Sequence, residues 1–388
     1  MNNKRFLILG AVVAVVVWTT AFFVLFSESE VEKSDSSSAT ATPPPEIPVL
    51  GEETVDGVPA GSEPTSGIPV EPYVPVPPPA TAPELGTPVV LAKAGRVPKA
   101  PRKTLSIFRS AGEICIDAET GKMLAGTNIR RQCPPASVTK IMTLYLVLEA
   151  LEAGKISLND TVLASKRAYG MGGTQLNLDV DEPCRIEDLI YGLMLQSAND
   201  AAVVLAETLC GNVEDFVADM NKKAEELGLS NTRFATPHGL PPSSRERNAG
   251  KRADMTTAED LAKLSVALIK RFPESLRYSS TIVRNYPENT KRKLPMPMKN
   301  HNRLLEIFEG CDGLKTGWTN AGASIVTTAS RGNKRVVAVV LGGLVKNKKG
   351  EIDAKTSQRE RNQRAAELMY QGFKSLDVLR YEPTPFKN

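Results

Sequence analysis

The sequence predicts an α+β fold: an antiparallel sheet flanked by helices, with a helical lobe inserted into it. Three observations predict this. Strand-like runs stand near residue 111 and again after residue 311, the latter rich in β-branched residues. Between them the apolar spacing is that of helices almost throughout. Strands drawn from both ends of a folded region, with helices between, place the lobe as an insertion and a cleft where lobe and sheet meet.

Residues 1–5, with Lys4 and Arg5, read as a cytoplasmic stub. Residues 6–26, from Phe6 to Phe26, carry no charge and are long enough to cross the roughly 30 Å hydrocarbon core as a helix. Glu28, Glu30 and Glu32 follow, and a positive flank stays inside, so the rest of the chain is expected on the outer, periplasmic or extracellular, face of the cytoplasmic membrane. A cleaved signal peptide is the competing reading. Its apolar region is usually shorter, and the small-residue triplet Ala39-Thr-Ala41 stands far downstream, which favours a retained single-pass anchor. Residues 27–102 are rich in Ser, Thr and above all Pro, with Pro43-Pro-Pro45 and Val74-Pro-Val-Pro-Pro-Pro79. Such a segment has few large apolar side chains to bury and reads as an unpacked tether, roughly 50 Å long as a coil and on the order of 230 Å as polyproline.

Folding is expected from residue 103 to 378, with 379–388 a short tail. Ala111–Asp117 and Lys122–Ala125 read as a hairpin closed by Ala118-Glu-Thr-Gly121. Pro134 and Pro135 have fixed φ and no N–H to donate, so they open a helix running from Ser137 to Glu152. Its segment Ile141–Leu151 is apolar nearly all round, as a buried helix should be. Tyr169–Gly173 is a loop. Helical spacing returns in Ile186–Leu195, Ala201–Leu209, Val213–Leu227 and Thr257–Lys270. Asp312–Thr319, Gly322–Ser330 and Arg335–Leu341 are strands, the last pair turning at Arg331-Gly-Asn333, and a final helix runs from Thr356 to Leu376.

Composition excludes several classes. The net charge of +4 comes without a dense basic block interleaved with aromatics, so no nucleic acid partner is expected. The two histidines, His238 and His301, form no H-E-x-x-H pattern, and the five cysteines no C-x-x-C, so neither metal nor cofactor is expected. An odd number of cysteines leaves at least one unpaired in a monomer. No G-x-S-x-G elbow is present.

Chemistry concentrates in three short motifs. Ser137 and Lys140 stand three apart at a helix start, where side chains share a face and hydroxyl and amine can touch. An amine held against an apolar helix loses hydration, which lowers its pKa and lets it accept a proton near neutral pH. Taken alone, the pair reads more readily as a surface Ser and Lys on an ordinary helix, since Ser-x-x-Lys recurs by chance in a chain of this length. Gln196-Ser-Ala-Asn-Asp200 falls between two apolar helices, where a loop projects toward a cleft, but Ser157-Leu-Asn159 has the same spacing in what reads as an ordinary turn. Lys315-Thr-Gly317 lies in a strand and reads either as a site wall or as the solvent face of an edge. Gly317 is of use where another backbone or a ligand approaches closely.

Together, S-x-x-K, a serine–asparagine motif and K-T-G form a recognised signature of penicillin-binding proteins and class A β-lactamases. Pro135-Ala-Ser-Val-Thr-Lys-Ile-Met-Thr143, Gln196-Ser-Ala-Asn-Asp-Ala201 and Asp312-Gly-Leu-Lys-Thr-Gly317 resemble, in order and flanking residues, the D-alanyl-D-alanine carboxypeptidases, low-molecular-weight penicillin-binding proteins of serine peptidase family S11. Ala224–Phe234 and Pro237-His-Gly-Leu240 extend the resemblance, which covers about Ser110 to Phe373. It implies the penicillin-binding protein and β-lactamase-like transpeptidase fold, peptidoglycan stem peptides as substrate and β-lactams as covalent inhibitors.

The resemblance also implies roles. Ser137 attacks the D-Ala–D-Ala carbonyl while Lys140 takes its proton, and Ser197 relays a proton to the leaving amine. Asn199 holds the substrate's backbone amide; Lys315 and Thr316 draw the terminal carboxylate; the N–H groups of Ser137 and Trp318 form the oxyanion hole. His238 is a structural turn residue.

Trp318 stands where histidine is frequent and Ala198 where glycine is common. Many members carry a C-terminal β-rich domain with a membrane-binding helix; the N-terminal anchor and tether are expected to replace it. A β-lactamase needs a deacylating glutamate in Glu-x-x-Leu-Asn, which Glu226-Leu-Gly-Leu-Ser230 does not supply. A D,D-endopeptidase and an inactive wall-binding scaffold remain as alternatives.

Overall fold

The computed structural model describes residues 103–287 and 294–378. The stub, anchor, tether and tail expected from the sequence lie outside the described residues. Among the described residues no helix is long and apolar enough to cross a membrane.

The fold is α+β, as expected. Strands β1 (Gly112–Asp117) and β2 (Met123–Thr127) form the first hairpin, and a 3-10 turn, Ala136–Thr139, leads into helix α1 (Lys140–Glu152). A small hairpin of β3 (Thr161–Leu163) and β4 (Pro183–Arg185) encloses the short α2 (Lys166–Tyr169). Helix α3 (Ile186–Tyr191) then widens into a π turn, Gly192–Gln196, before α4 (Asn199–Cys210), α5 (Val213–Glu226), α6 (Ser244–Asn248), α7 (Ala258–Arg271) and α8 (Ser275–Ser280) complete the lobe. A second hairpin, β5 (Val283–Tyr286) with β6 (Met296–Lys299), and α9 (Leu304–Ile307) return the chain to the sheet. Strands β7 (Cys311–Thr319), β8 (Gly322–Arg331) and β9 (Lys334–Gly343) and helix α10 (Ala354–Ser375) finish it.

The main sheet is antiparallel throughout in the order β2-β1-β9-β8-β7, so the first hairpin joins the last strands through β1 and β9. The register sets Ile114 against Val339 and Ile116 against Val337. Side chains alternate across a strand, and β9 uses both faces. Val337, Val339 and Leu341 enter the core shared with the helical lobe, while Val336, Ala338 and Val340 pack with Ala365, Leu368, Met369 and Phe373 of α10. A strand covered on both faces has no solvent side, which is why this stretch is apolar without interruption. Each such valine contributes about 1.5–3 kcal/mol by leaving water.

Local signals fix where the helices start. Asn212, Thr257 and Asp353 each accept a backbone N–H three residues on, capping α5, α7 and α10. A cap of this kind stabilises a helix by about 1 kcal/mol. Helix α1 runs through the middle of the lobe with Ile141, Met142, Leu144, Val147 and Leu148 buried, consistent with its nearly all-round apolar character.

Candidate active site

Ser137 is presented by a turn tighter than the α-helix expected from the sequence. In a 3-10 turn residues i and i+3 lie directly above one another. Ser137 and the first residue of α1 are so spaced, and Lys140 Nζ stands 3.2 Å from Ser137 Oγ. The turn is entered through Ala136, a non-glycine residue with φ of 57°. Two glycines let other backbones close on this turn. A Cβ on Gly239, where φ is +82°, would land on the Ala136 carbonyl, and one on Gly317 would come within 3.0 Å of both Ala136 Cβ and Ser137 N. The K-T-G strand therefore packs directly against the Ser137 turn, bringing the first and third motifs together.

Lys140 is completely buried. Besides Ser137, its amine meets Asn199 Oδ1 at 2.7 Å and the His238 carbonyl at 2.8 Å, so all its contacts are acceptors without formal charge. Burial, and then the positive charge of Lys315, holds its pKa well below the usual lysine range, with Asp254 and Asp200 opposing the shift. An amine in this state can take a proton from a neighbouring hydroxyl. His238 lends its backbone rather than its ring to this arrangement. Its Nδ1 accepts from Leu240 N at 3.1 Å, and burial together with the nearby Lys140 and Arg167 charges pushes its pKa down to about 3.

Ser197 ends the π turn in the left-handed conformation, with φ of 61° and ψ of 33°. Its hydroxyl is buried and has no hydrogen-bond partner. Strained backbone and an unpaired buried hydroxyl recur at sites where strain and exposed bonding capacity are used. The apolar spacing predicts one helix through Ile186–Leu195, whereas the chain widens at Gly192–Gln196 into a π turn that turns Ser197 out of it. Asn199 opens α4 rather than preceding it. Its Oδ1 takes Lys140, and its Nδ2 donates to the Gly172 carbonyl at 2.7 Å. The amide expected to hold substrate is thus already engaged on both sides, which leaves one Nδ2 hydrogen for a ligand.

On the facing wall, Lys315 and Thr316 are buried in β7, the edge strand, while Trp318 is only partly covered. Lys315 Nζ donates to the Thr316 carbonyl at 3.0 Å, and burial, reinforced by the charge of Arg361, pushes its pKa down to about 7. Arg361 is the residue the motif reading missed. It reaches from α10 with Nη1 donating to the carbonyls of Ser324 at 3.1 Å and Gly317 at 3.4 Å. Burial lowers its pKa to about 10, and among the described residues no carboxylate forms an ion pair with it. A signal existed: Arg361, Ala365, Leu368 and Met369 recur at helical spacing, which sets an arginine on the buried face of α10. His301 adds to this side, its pKa pushed down to about 4 by burial and by the charges of Lys315, Arg361 and Lys140.

Residues 99–344 match the sequence profile of the Peptidase S11 family, D-alanyl-D-alanine carboxypeptidase. The chain is similar to D-alanyl-D-alanine carboxypeptidase DacF of Bacillus subtilis (strain 168), with 38% identity over 230 residues, 59% of this chain and 56% of that protein. It is similar also to DacC of Escherichia coli (strain K12), at 38% over 237 residues, 59% of this chain and 55% of that one. The chain thus spans about half the length of the curated relatives it matches. Among solved structures, penicillin-binding protein D2 from Listeria monocytogenes in its ampicillin-bound form superposes with a TM-score of 0.56 at 30% identity, covering 68% of this chain and 97% of that one. DacD from Francisella tularensis gives 0.60 at 26% identity, covering 73% and 74%. A profile match running from residue 99 to 344 takes in more than half of the sequence, and on that extent the chain belongs to the D-alanyl-D-alanine carboxypeptidase family, Peptidase S11.

Proposed function

We propose that the protein is a penicillin-sensitive serine D,D-carboxypeptidase that removes the terminal D-Ala from peptidoglycan stem pentapeptides. The observation that carries the reading is Lys140 Nζ at 3.2 Å from Ser137 Oγ, with the amine buried and held by neutral acceptors. Ser137 Oγ adds to the carbonyl of the D-Ala–D-Ala bond as its proton passes to Lys140. The developing oxyanion is received by the N–H groups of Ser137 and Trp318; the close approach of β7 to Ser137 N that Gly317 allows supports this assignment. The C–N bond then breaks, D-Ala leaves with a proton relayed through Ser197, and water hydrolyses the ester, returning the proton to the site.

Lys315 and the deeper Arg361 supply the positive charge, and Thr316 a hydroxyl, that draw the substrate's terminal carboxylate, and Asn199 spends its remaining hydrogen on the peptide. That similar structures are described with ampicillin and cefotaxime bound supports β-lactams as covalent inhibitors here. The sequence of residues 6–26 supports a membrane anchor, with 27–102 as tether and the folded domain on the outer face.

One experiment tests the reading. Fluorescent penicillin should label the full chain in the membrane fraction and fail to label Ser137→Ala. The wild type should release D-Ala from a stem pentapeptide. Labelling that persists in Ser137→Ala would sink the mechanism; cleavage of a cross-linked dimer without D-Ala release would make it an endopeptidase.

A further inference from the structure

Asn199 and Asp200 are neighbours in sequence with different tasks. Asn199 faces Lys140; Asp200 is completely buried behind it. Its carboxylate accepts Leu176 N at 3.0 Å on one oxygen and Leu178 N at 3.2 Å on the other, and the first oxygen also takes Ala201 N at 2.9 Å. The Leu176 side chain lies over Gly192, where an added Cβ would meet it at 2.6 Å. Segment 176–178 is thereby fastened both to α4 and to the π turn that carries Ser197.

Just before this segment the chain forms the exposed loop Gly172–Thr174, which grips Asn199 twice. Asn199 Nδ2 donates to the Gly172 carbonyl at 2.7 Å, and Asn199 N donates to the Thr174 carbonyl at 2.8 Å. Between these contacts Gly173, with φ of +73°, leaves so little room that a Cβ there would fall 2.8 Å from Asn199 Nδ2. The amide so held is the one whose Oδ1 receives Lys140 Nζ.

We infer that Asp200 is a positioning residue for acyl transfer: it sets the loop Gly172–Leu178, the loop clamps the Asn199 amide, and the amide aims the Lys140 amine at Ser137. This rests on the reading of Ser137 and Lys140 as the acylating pair. Only a carboxylate offers acceptors on both oxygens, so an asparagine of the same shape would turn an N–H₂ group toward a backbone N–H and release the loop at one point. The Asp200 charge also bears on Lys140 directly. It acts beside Asp254 on the segment before α7 and against Lys315 of β7, and the ring of His238 feels the Lys140 charge in turn.

The test uses the full chain and the rate of acylation by fluorescent penicillin across pH, with amide hydrogen exchange on residues 170–178. Asp200→Asn should slow acylation on the order of 10-fold or more, as small misplacements of reacting groups do. It should also speed exchange in that segment and move the acid limb of the rate profile to lower pH, because a charge that raises the Lys140 pKa has gone. Gly173→Ala should slow acylation from the other end of the clamp and leave the acid limb in place. In an Asn199→Ala background, Asp200→Asn should cost less than about twofold, since the amide it positions is absent. Acylation by Asp200→Asn at the wild-type rate, or the same fold-loss in both backgrounds, would overturn the inference. Should Asp200→Asn not fold, a wild-type rate in Gly173→Ala overturns it instead. If the wild type itself is not acylated, the functional reading falls. The clamp is then judged by exchange at 170–178 and by ¹⁵N titration of Lys140, and it fails if neither moves in Asp200→Asn.

Discussion

The two walls of the cleft handle buried positive charge in opposite ways. On the helical side, Lys140 is surrounded by three neutral acceptors, with the carboxylates of Asp254 and Asp200 near enough to raise its proton affinity partway back. On the sheet side, Lys315 and Arg361 bond only to carbonyl and amide oxygens. The difference teaches what each wall is for. An amine balanced between burial and nearby carboxylates can gain and lose a proton, whereas cations left without an anion hold electrostatic capacity in reserve for a ligand that brings one.

The largest effect that separates the walls is expected at Lys140. Arginine keeps the charge but never gives up its proton, so Lys140→Arg should lower acylation by about 10³-fold if that wall serves proton transfer. Labelling kinetics with fluorescent penicillin measure it, and a loss under tenfold would erase the distinction. Next comes Lys315→Met. Acylation by a carboxylate-bearing penicillin should fall by about 10²-fold, while thermal melting at pH 7 should rise, because an apolar side chain replaces an uncompensated buried cation. In the wild type Lys315 loses its proton as pH climbs through about 7, so the rate for such ligands should fall on that side, and the limb should be absent from the variant. Its folded pKa lies below the unfolded value of about 10.4, so the unfolded chain binds the extra proton between the two, and this group's contribution to stability rises with pH across that window.

The smallest effect concerns the histidines, one beside each wall. Both are neutral in the fold down to about 3 for His238 and about 4 for His301. An unfolded histidine protonates near 6.5, so stability should decline as pH drops from about 6.5 toward 4. Calorimetry of His238→Gln and His301→Gln would apportion that decline, with His238, whose pKa lies further down, giving the larger share and His301 the lesser.

What could be read from the sequence followed pattern length. The Arg335–Leu341 run announced a strand, though not that both its faces are covered, and the three motifs named residues that the fold brings to one cleft. Helix subtype was not legible: nothing in Ala136–Thr139 or Gly192–Gln196 distinguishes a 3-10 or π turn from α, because the hydrogen-bond register depends on what packs beside it. Strands of three or four residues, β3 to β6, are too short for alternation to register. Arg361 carried a periodic signal but no motif, and Asp200 was read as the tail of one. The segment it holds, Leu176 to Leu178, acquires meaning only from the tertiary contact.

The bed of Ser137 is made of main chain on both sides, with Gly239 under Ala136 and Gly317 against the serine's own nitrogen. Neither can gain a side chain without pushing backbone aside. Substitution that reshapes the site therefore has little room at the floor and more at the lip, where Trp318 is only partly covered.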